Sequence, residues 1–296
     1  MVGRHVLMHA RALEHEIYAP TRADLDLRNV HQISTYLEDL NLDTVVHCAG
    51  LVGGIEANIR KPLDFFIENL DIGRNVVFAS RSAGVKHLIN LGSSCMYPHD
   101  ASNPLKESDL GSGRLEPTNE AYAMAKLAVC SLCRYINRQE NKSQFKYITL
   151  IPSNLYGPYD CFDPIRSHLV PAVIHKLHVA KTNGRSVVDI WGNGEARREF
   201  MYASDVADGI WFAINHLNVI PELLNIGLGR DFTVREIYEV AARVLGYEGM
   251  FSYDKTKPVG MQQKLMDSSR IFELGWAPKV SLDQGILKTY EYYLGL

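Results

Sequence analysis

Long apolar runs are missing from this chain. None approaches the roughly 18 residues that a membrane-crossing helix needs, so no transmembrane helix is expected. The opening MVGRHVLMHARALEHE has no signal-peptide core and reads instead as an amphipathic helix. Charge of one sign is not in excess either. Lysine and arginine number 31 against 34 aspartates and glutamates, a formal net charge of −3, which gives no reason to expect nucleic acid or a membrane surface as partner. Cysteine is sparse: Cys48, Cys95, Cys130, Cys133 and Cys161 are an odd number without framework spacing, as expected of reduced thiols in a cytoplasmic protein. The CSLC at 130–133 has no second pair and falls inside a helical pattern, so it reads as two buried helix cysteines and no metal site is expected. Internal repeats and low-complexity tracts are absent from the sequence.

What is present is alternation. The β-branched run TVVHCAG (44–50) stops at glycine, and DFFIENLDIGRNVVFASRSAG (64–84) repeats apolar residues at helical spacing. HLINLGSS is the next strand, 119–138 the next helix, and YITLIPSNLYGP (147–158) one further strand halted at proline and glycine. Strands alternating with helices at this pitch predict a doubly wound parallel sheet, a Rossmann-like α/β fold. Such sheets bind ligands at the carboxyl ends of their strands, where GSSC and PSNLYGP would both lie. After about residue 157 the pattern loosens. The expected division is therefore residues 1–157 as a dinucleotide-binding domain and 158–296 as a smaller, mainly substrate-binding lobe, some of whose segments return to the first domain.

Two motifs carry the chemistry. EAYAMAK places Tyr122 and Lys126 four residues apart, on one face of the predicted helix. A phenol ionises near pH ~10, and a neighbouring ammonium favours the phenolate, so the pair can exchange a proton with a carbonyl or alcohol oxygen. About thirty residues earlier, Ser93 and Ser94 follow a strand end, where a hydroxyl could hold the same oxygen. On its own, a tyrosine–lysine pair at this spacing is an ordinary surface feature; preceded by the two serines it points to a site. Cys95 beside them reads either as a small buried hydrophobe or as a reactive thiol.

These residues resemble the Ser–Tyr–Lys set of extended short-chain dehydrogenases/reductases. LVGGI, NLGSSCMYP, LEPTNEAYAMAK, PSNLYGP, SHLVPA and WGNGEARREF together resemble the GDP-L-fucose synthase branch of that family over essentially the whole chain. The resemblance implies an NADPH-dependent 3,5-epimerase and 4-reductase acting on GDP-4-keto-6-deoxymannose. It assigns Cys95 as the base and His168 as the acid of epimerisation, and Ser93 and Tyr122 as holders of the enolate oxygen. Tyr122 would also donate the C4 proton on reduction, and Lys126 would bind the nicotinamide ribose. A thiol ionises near ~8.5, so a positive neighbour would help Cys95. NADP(H) would lie along Gly3, Arg22, Asp26, Leu27, Ala49, Leu91, Gly92, Ser93, Ser94, Lys126, Pro152, Asn154, Leu155 and His168. Arg22 stands where an arginine suits the 2′-phosphate. The sugar nucleotide would meet Ser94, Lys176, Trp191, Arg198 and Lys264. Lys176 replaces an arginine of the family and offers only a point charge, and Trp191 reads equally as packing. His99, His175 and His178 have no such context and read as structural.

The chain departs from the family at its start. Relatives carry an earlier strand and a glycine-rich turn, of which Met1-Val2-Gly3 resembles only the end. The expectation is a sheet short of a central strand, a less stable protein and a weaker cofactor grip than in a form extended upstream. Two alternatives stay open: a C4 reductase of a related GDP-4-keto sugar such as a heptose, and a non-catalytic sugar-nucleotide binder lacking the cofactor loop. The helices at 61–83 and 119–138 resemble those of the family's dimer interface, which implies a homodimer.

Overall fold

The computed structural model describes residues 1–139, 145–163, 166–257 and 259–296. Its centre is a parallel sheet in the order β1 (Thr44–His47), β2 (His87–Leu91), β3 (Lys146–Pro152), β8 (Leu223–Ile226). Successive side chains of a strand point to opposite faces, and both faces here are covered. Leu88 and Tyr147 face a core with α2 (Val30–Glu38), α4 (Pro62–Ser82) and α5 (Glu120–Gln139). Their neighbours Ile89, Leu91, Ile148 and Leu150 face α1 (Val2–Met8) and α7 (Ala203–Asn215). This is the doubly wound arrangement that the alternation of the sequence predicts.

Among the described residues β1 has a ladder partner on one side only, and residues 19–27, APTRADLDL, where by the family resemblance the second strand of the fold should end, carry no strand. Arg22 lies in a turn closed by Asp24, whose carboxylate accepts from the backbone and hydroxyl of Thr21 at 2.9 and 2.7 Å. A strand needs a neighbour to take its N–H and C=O groups, and none stands there. The expected N-terminal amphipathic helix is also shorter. It ends at Met8, because His9 is extended and its ring accepts from the Arg11 N–H, which starts a separate 3-10 turn, Ala10–Glu14.

The segment 147–158, read as one strand, is two. Pro152 ends β3, the Ser153 N–H bonds Ile226 O at 3.1 Å, and the Asn154 N–H then turns to Glu199 O at 3.2 Å. The chain thereby leaves the main sheet and forms β4 (Asn154–Tyr156) against β7 (Phe200–Tyr202). Beyond this switch a separate apolar core joins α6 (Leu169–Thr182), α8 (Val234–Leu245) and α10 (Leu282–Leu294). β5 (Val187–Trp191) pairs with β10 (Met250–Asp254). β6 (Arg197–Arg198) lies between β9 (Phe232–Thr233) and β11 (Gln263–Lys264). No helix among the described residues is long and apolar enough to cross a membrane.

Candidate active site

The site forms at the carboxyl edge of the sheet. After β1 the loop Cys48–Leu51 is pinned by buried Asn69 of α4, whose amide accepts from the Leu51 N–H at 3.0 Å and donates to Leu51 O at 3.0 Å. After β2, Ser93 Oγ accepts from the Cys95 N–H at 3.2 Å and caps a short 3-10 turn, Ser94–Met96. That cap turns Cys95 out of the strand direction and leaves Ser94 buried. From α5, one turn apart, come Tyr122, whose ionisation the Ser93 side chain influences, and Lys126, whose ammonium donates to Leu91 O at 2.9 Å. Ser93, Tyr122 and Lys126 thus lie around one edge of the sheet.

Their electrostatics differ from the expectation in one respect. Burial pushes the Tyr122 phenol above its ordinary value, with the charge of Cys95 adding to the rise, while the Ser93 hydrogen bond pulls the other way. Tyr122 is therefore held as a phenol, the form that can give a proton. Burial brings the Lys126 ammonium down from 10.5 to about 8, opposed by Cys48. Burial and then the Lys126 charge take His47, at the end of β1, to about 3.

The far wall comes from the later lobe. β11 runs parallel to β6 with Lys264 opposite Arg198. The Lys264 ammonium stands 3.7 Å from Cys95 Sγ, and Asn119 Nδ2 donates to the same sulfur at 3.2 Å. Arg198 donates to Arg197 O at 2.7 Å and Val259 O at 3.0 Å; burial lowers its ionisation, opposed by the charges of Glu116 and then Cys95. His168 precedes α6; burial and then the Lys264 charge lower its ionisation. The loop that carries it abuts the GG of LVGGI: Gly54 N–H donates to Arg166 O at 3.2 Å, and a Cβ on Gly54 would fall 2.7 Å from Ser167 O. Only glycine permits that approach.

Other expected contacts are engaged elsewhere. Lys176 is tied to Asp189, donating to its carbonyl at 2.8 Å and its carboxylate at 3.1 Å. Trp191 is exposed, with the Lys257 ammonium 5.4 Å from its ring centroid. Arg22 is exposed and 3.5 Å from Glu68. Asp26 is gripped by Arg28, which holds its carboxyl at about 2. Leu27 O accepts from Asn75 at 3.1 Å, and Gly3 lies in α1 beside Cys48. Ala49 is in the Asn69-pinned loop, Gly92 begins the turn after β2, Pro152 ends β3 and Leu155 packs on the core beside α7. Asn154 Nδ2 donates to Glu199 O at 3.1 Å. Cys130 and Cys133 are buried in α5. Three residues escaped the sequence reading: Asn69, Asn119 and Glu199. Asn119 sits inside the quoted LEPTNEAYAMAK, but a lone asparagine carries no signal of its own.

A nicotinamide dinucleotide suits this edge. Ser153 Oγ, at the carboxyl end of β3, is buried and has no hydrogen-bond partner. It and the Lys126 ammonium offer polar groups where a ribose and carboxamide would lie. The fold and this edge define an α/β enzyme of the extended short-chain dehydrogenase/reductase type. Residues 1–227 match the model of the NAD dependent epimerase/dehydratase family, and the chain belongs to that family. It is 49% identical to the GDP-L-colitose synthase of Yersinia pseudotuberculosis, over 99% of this chain and 95% of that one. It is also 49% identical to the GDP-L-fucose synthase of Azorhizobium caulinodans, over 99% and 93%. Among solved structures, a GDP-6-OMe-4-keto-L-xylo-heptose reductase from C. jejuni superposes with a TM-score of 0.91 at 29% identity, covering 99% of this chain and 94% of that one. A GDP-mannoheptose C4 reductase from Campylobacter jejuni with NADP bound gives 0.87 at 30% identity, covering 99% and 95%.

Proposed function

We propose that the protein is an NADP(H)-dependent epimerase–reductase that converts GDP-4-keto-6-deoxy-D-mannose to GDP-L-fucose. The observation that carries this is a thiol, Cys95, set at the strand end beside Ser93 and facing the Lys264 ammonium, whose charge also reaches the buried His168 imidazole. The C4 carbonyl acidifies the C3 and C5 protons. The Cys95 thiolate takes such a proton; the electron pair of the broken C–H bond passes into an enolate, whose oxygen Ser93 and Tyr122 hold by hydrogen bonds. The imidazolium form of His168, made a stronger acid by burial and the Lys264 charge, returns a proton from the other face, inverting the centre. Ser94, Arg198 and Lys264 would line the sugar-nucleotide side, with Arg198 suited to the diphosphate; Lys176 and Trp191 would join them only by giving up their contacts with Asp189 and Lys257.

Ala49, Leu91, Gly92, Ser93, Ser94, Lys126, Pro152, Asn154, Leu155 and His168 would hold NADP(H), with Gly3, Arg22, Asp26 and Leu27 toward its adenosine end. When bound, it supplies the hydride for C4. Tyr122, kept protonated by burial, gives the C4 oxygen its proton, and Lys126 orients the ribose. Residues 1–157 thus serve the cofactor and 158–296 mainly the sugar nucleotide. A homodimer through α4 and α5 is part of the same reading: Leu63, Ile67, Phe78, Met124 and Tyr135 are large apolar side chains exposed on those two helices.

The test is turnover of GDP-4-keto-6-deoxymannose with NADPH in deuterated water. Deuterium is expected at both C3 and C5 of the product. Tyr122→Phe should lower NADPH oxidation by roughly two to four orders of magnitude, while Cys95→Ser should chiefly stop the exchange. A product without deuterium at those carbons would sink the epimerase reading and leave a C4 reductase of a related GDP-keto sugar.

A further inference from the structure

Lys264 is 8% exposed, and among the described residues no carboxylate lies within ion-pair distance of it. A buried ammonium without a counter-charge is costly. The acceptor facing it is Cys95 Sγ, 3.7 Å away. On another side the sulfur meets Asn119 Nδ2 at 3.2 Å. Amide and ammonium hydrogens can only donate, so both contacts suit a sulfur that accepts. The amide orientation is consistent: Asn119 Oδ1 is buried without a partner, and the reverse orientation would strand two N–H donors there in place of one acceptor.

We propose that Lys264 and Asn119 are positioning residues for Cys95, holding its sulfur as a thiolate before any sugar nucleotide arrives. This deepens the epimerase reading above and rests on it for its purpose: the anion is the base that takes the C3 or C5 proton. It moves Lys264 from a sugar-nucleotide contact to the counter-ion of the base. β11 is the device that delivers it, since pairing with β6 brings residue 264 to residue 95 across 169 positions of chain.

The experiment uses the full chain without sugar nucleotide, so its outcome is independent of which substrate is right. Thiolate absorbance in the ultraviolet is read at about pH 7 as the difference between each protein and the same protein carrying Cys95→Ser. Alkylation of Cys95 by iodoacetamide is followed by peptide mass spectrometry. Lys264→Met is expected to lose most of the absorbance and to slow alkylation about tenfold, the effect of withdrawing one close charge. Lys264→Arg should retain both signals, and Asn119→Leu should lower both in part. If Lys264→Met does not fold, Asn119→Leu and Lys264→Arg decide. Wild-type absorbance and alkylation in Lys264→Met or, failing that variant, in Asn119→Leu would overturn the proposal, as would loss of both signals in a folded Lys264→Arg.

Discussion

Substituting Gly73 by alanine tests how α5 is held in place. Gly73 lies on α4 where that helix crosses α5. A Cβ there would fall 2.4 Å from Val129 Cγ2, 3.0 Å from its Cγ1 and 3.2 Å from its Cβ. In an open helix the change would stabilise by about 1 kcal/mol, the propensity difference between alanine and glycine. Here all three close atoms belong to one buried β-branched side chain, whose χ1 is stiff. Overpacking of this kind costs about 1–3 kcal/mol, and a 2.4 Å approach belongs at the upper end. The net expectation is destabilisation by about 1–2 kcal/mol. Val129 is one helical turn beyond Lys126, so the displacement also shifts Tyr122 and Lys126 against Ser93 and Leu91 O, and turnover should fall with stability. Urea denaturation of Gly73→Ala, Val129→Ala and the double variant gives the coupling directly. The double variant should be less destabilised than the sum of the singles by about 2 kcal/mol, because trimming Val129 makes room for the new methyl. A Gly73→Ala protein more stable than wild type, with an additive cycle, would refute the close-packing account.

Arg22→Asp should weaken NADPH at least tenfold more than NADH, since it sets a second acid beside Glu68 where a cation would meet the 2′-phosphate; Kd values for the two cofactors check it, and equal effects would leave Arg22 a surface residue. Glu199 is 1% exposed, accepts from the N–H groups of Gly229 and Met266 at 2.8 Å each, and is raised by burial from 4.5 to about 7. Between those values the folded chain keeps a proton that the unfolded chain has released, so its contribution to stability falls as pH rises through that window. Glu199→Gln cannot titrate, and its stability should decline less over the same range, by on the order of 3 kcal/mol; parallel pH profiles in urea would contradict this.

Features that depend on near neighbours in sequence were legible before the fold. Tyr122 and Lys126 share a helix face because the spacing is four, and the alternation of apolar runs with helical patterns is enough to demand a parallel sheet covered on both faces. The serine-rich strand end, GSSC, marked the rim because a strand stops where its side chains turn small and polar. The family resemblance proposed His168, within SHLVPA, and Lys264, outside any quoted motif, as site residues without saying what they touch. Tertiary structure alone decided the rest. Whether Tyr122 is a phenol or a phenolate depends on burial, which pushes its ionisation up. The chain crosses from one sheet to another at Ser153 because Ile226 and Glu199 offer successive carbonyls, 73 and 46 residues further on. Lys264 reaches Cys95 through a two-residue ladder between distant segments. Local chemistry follows from helix pitch and strand alternation; which charges meet across the site is fixed only when packing brings remote segments within a few ångströms.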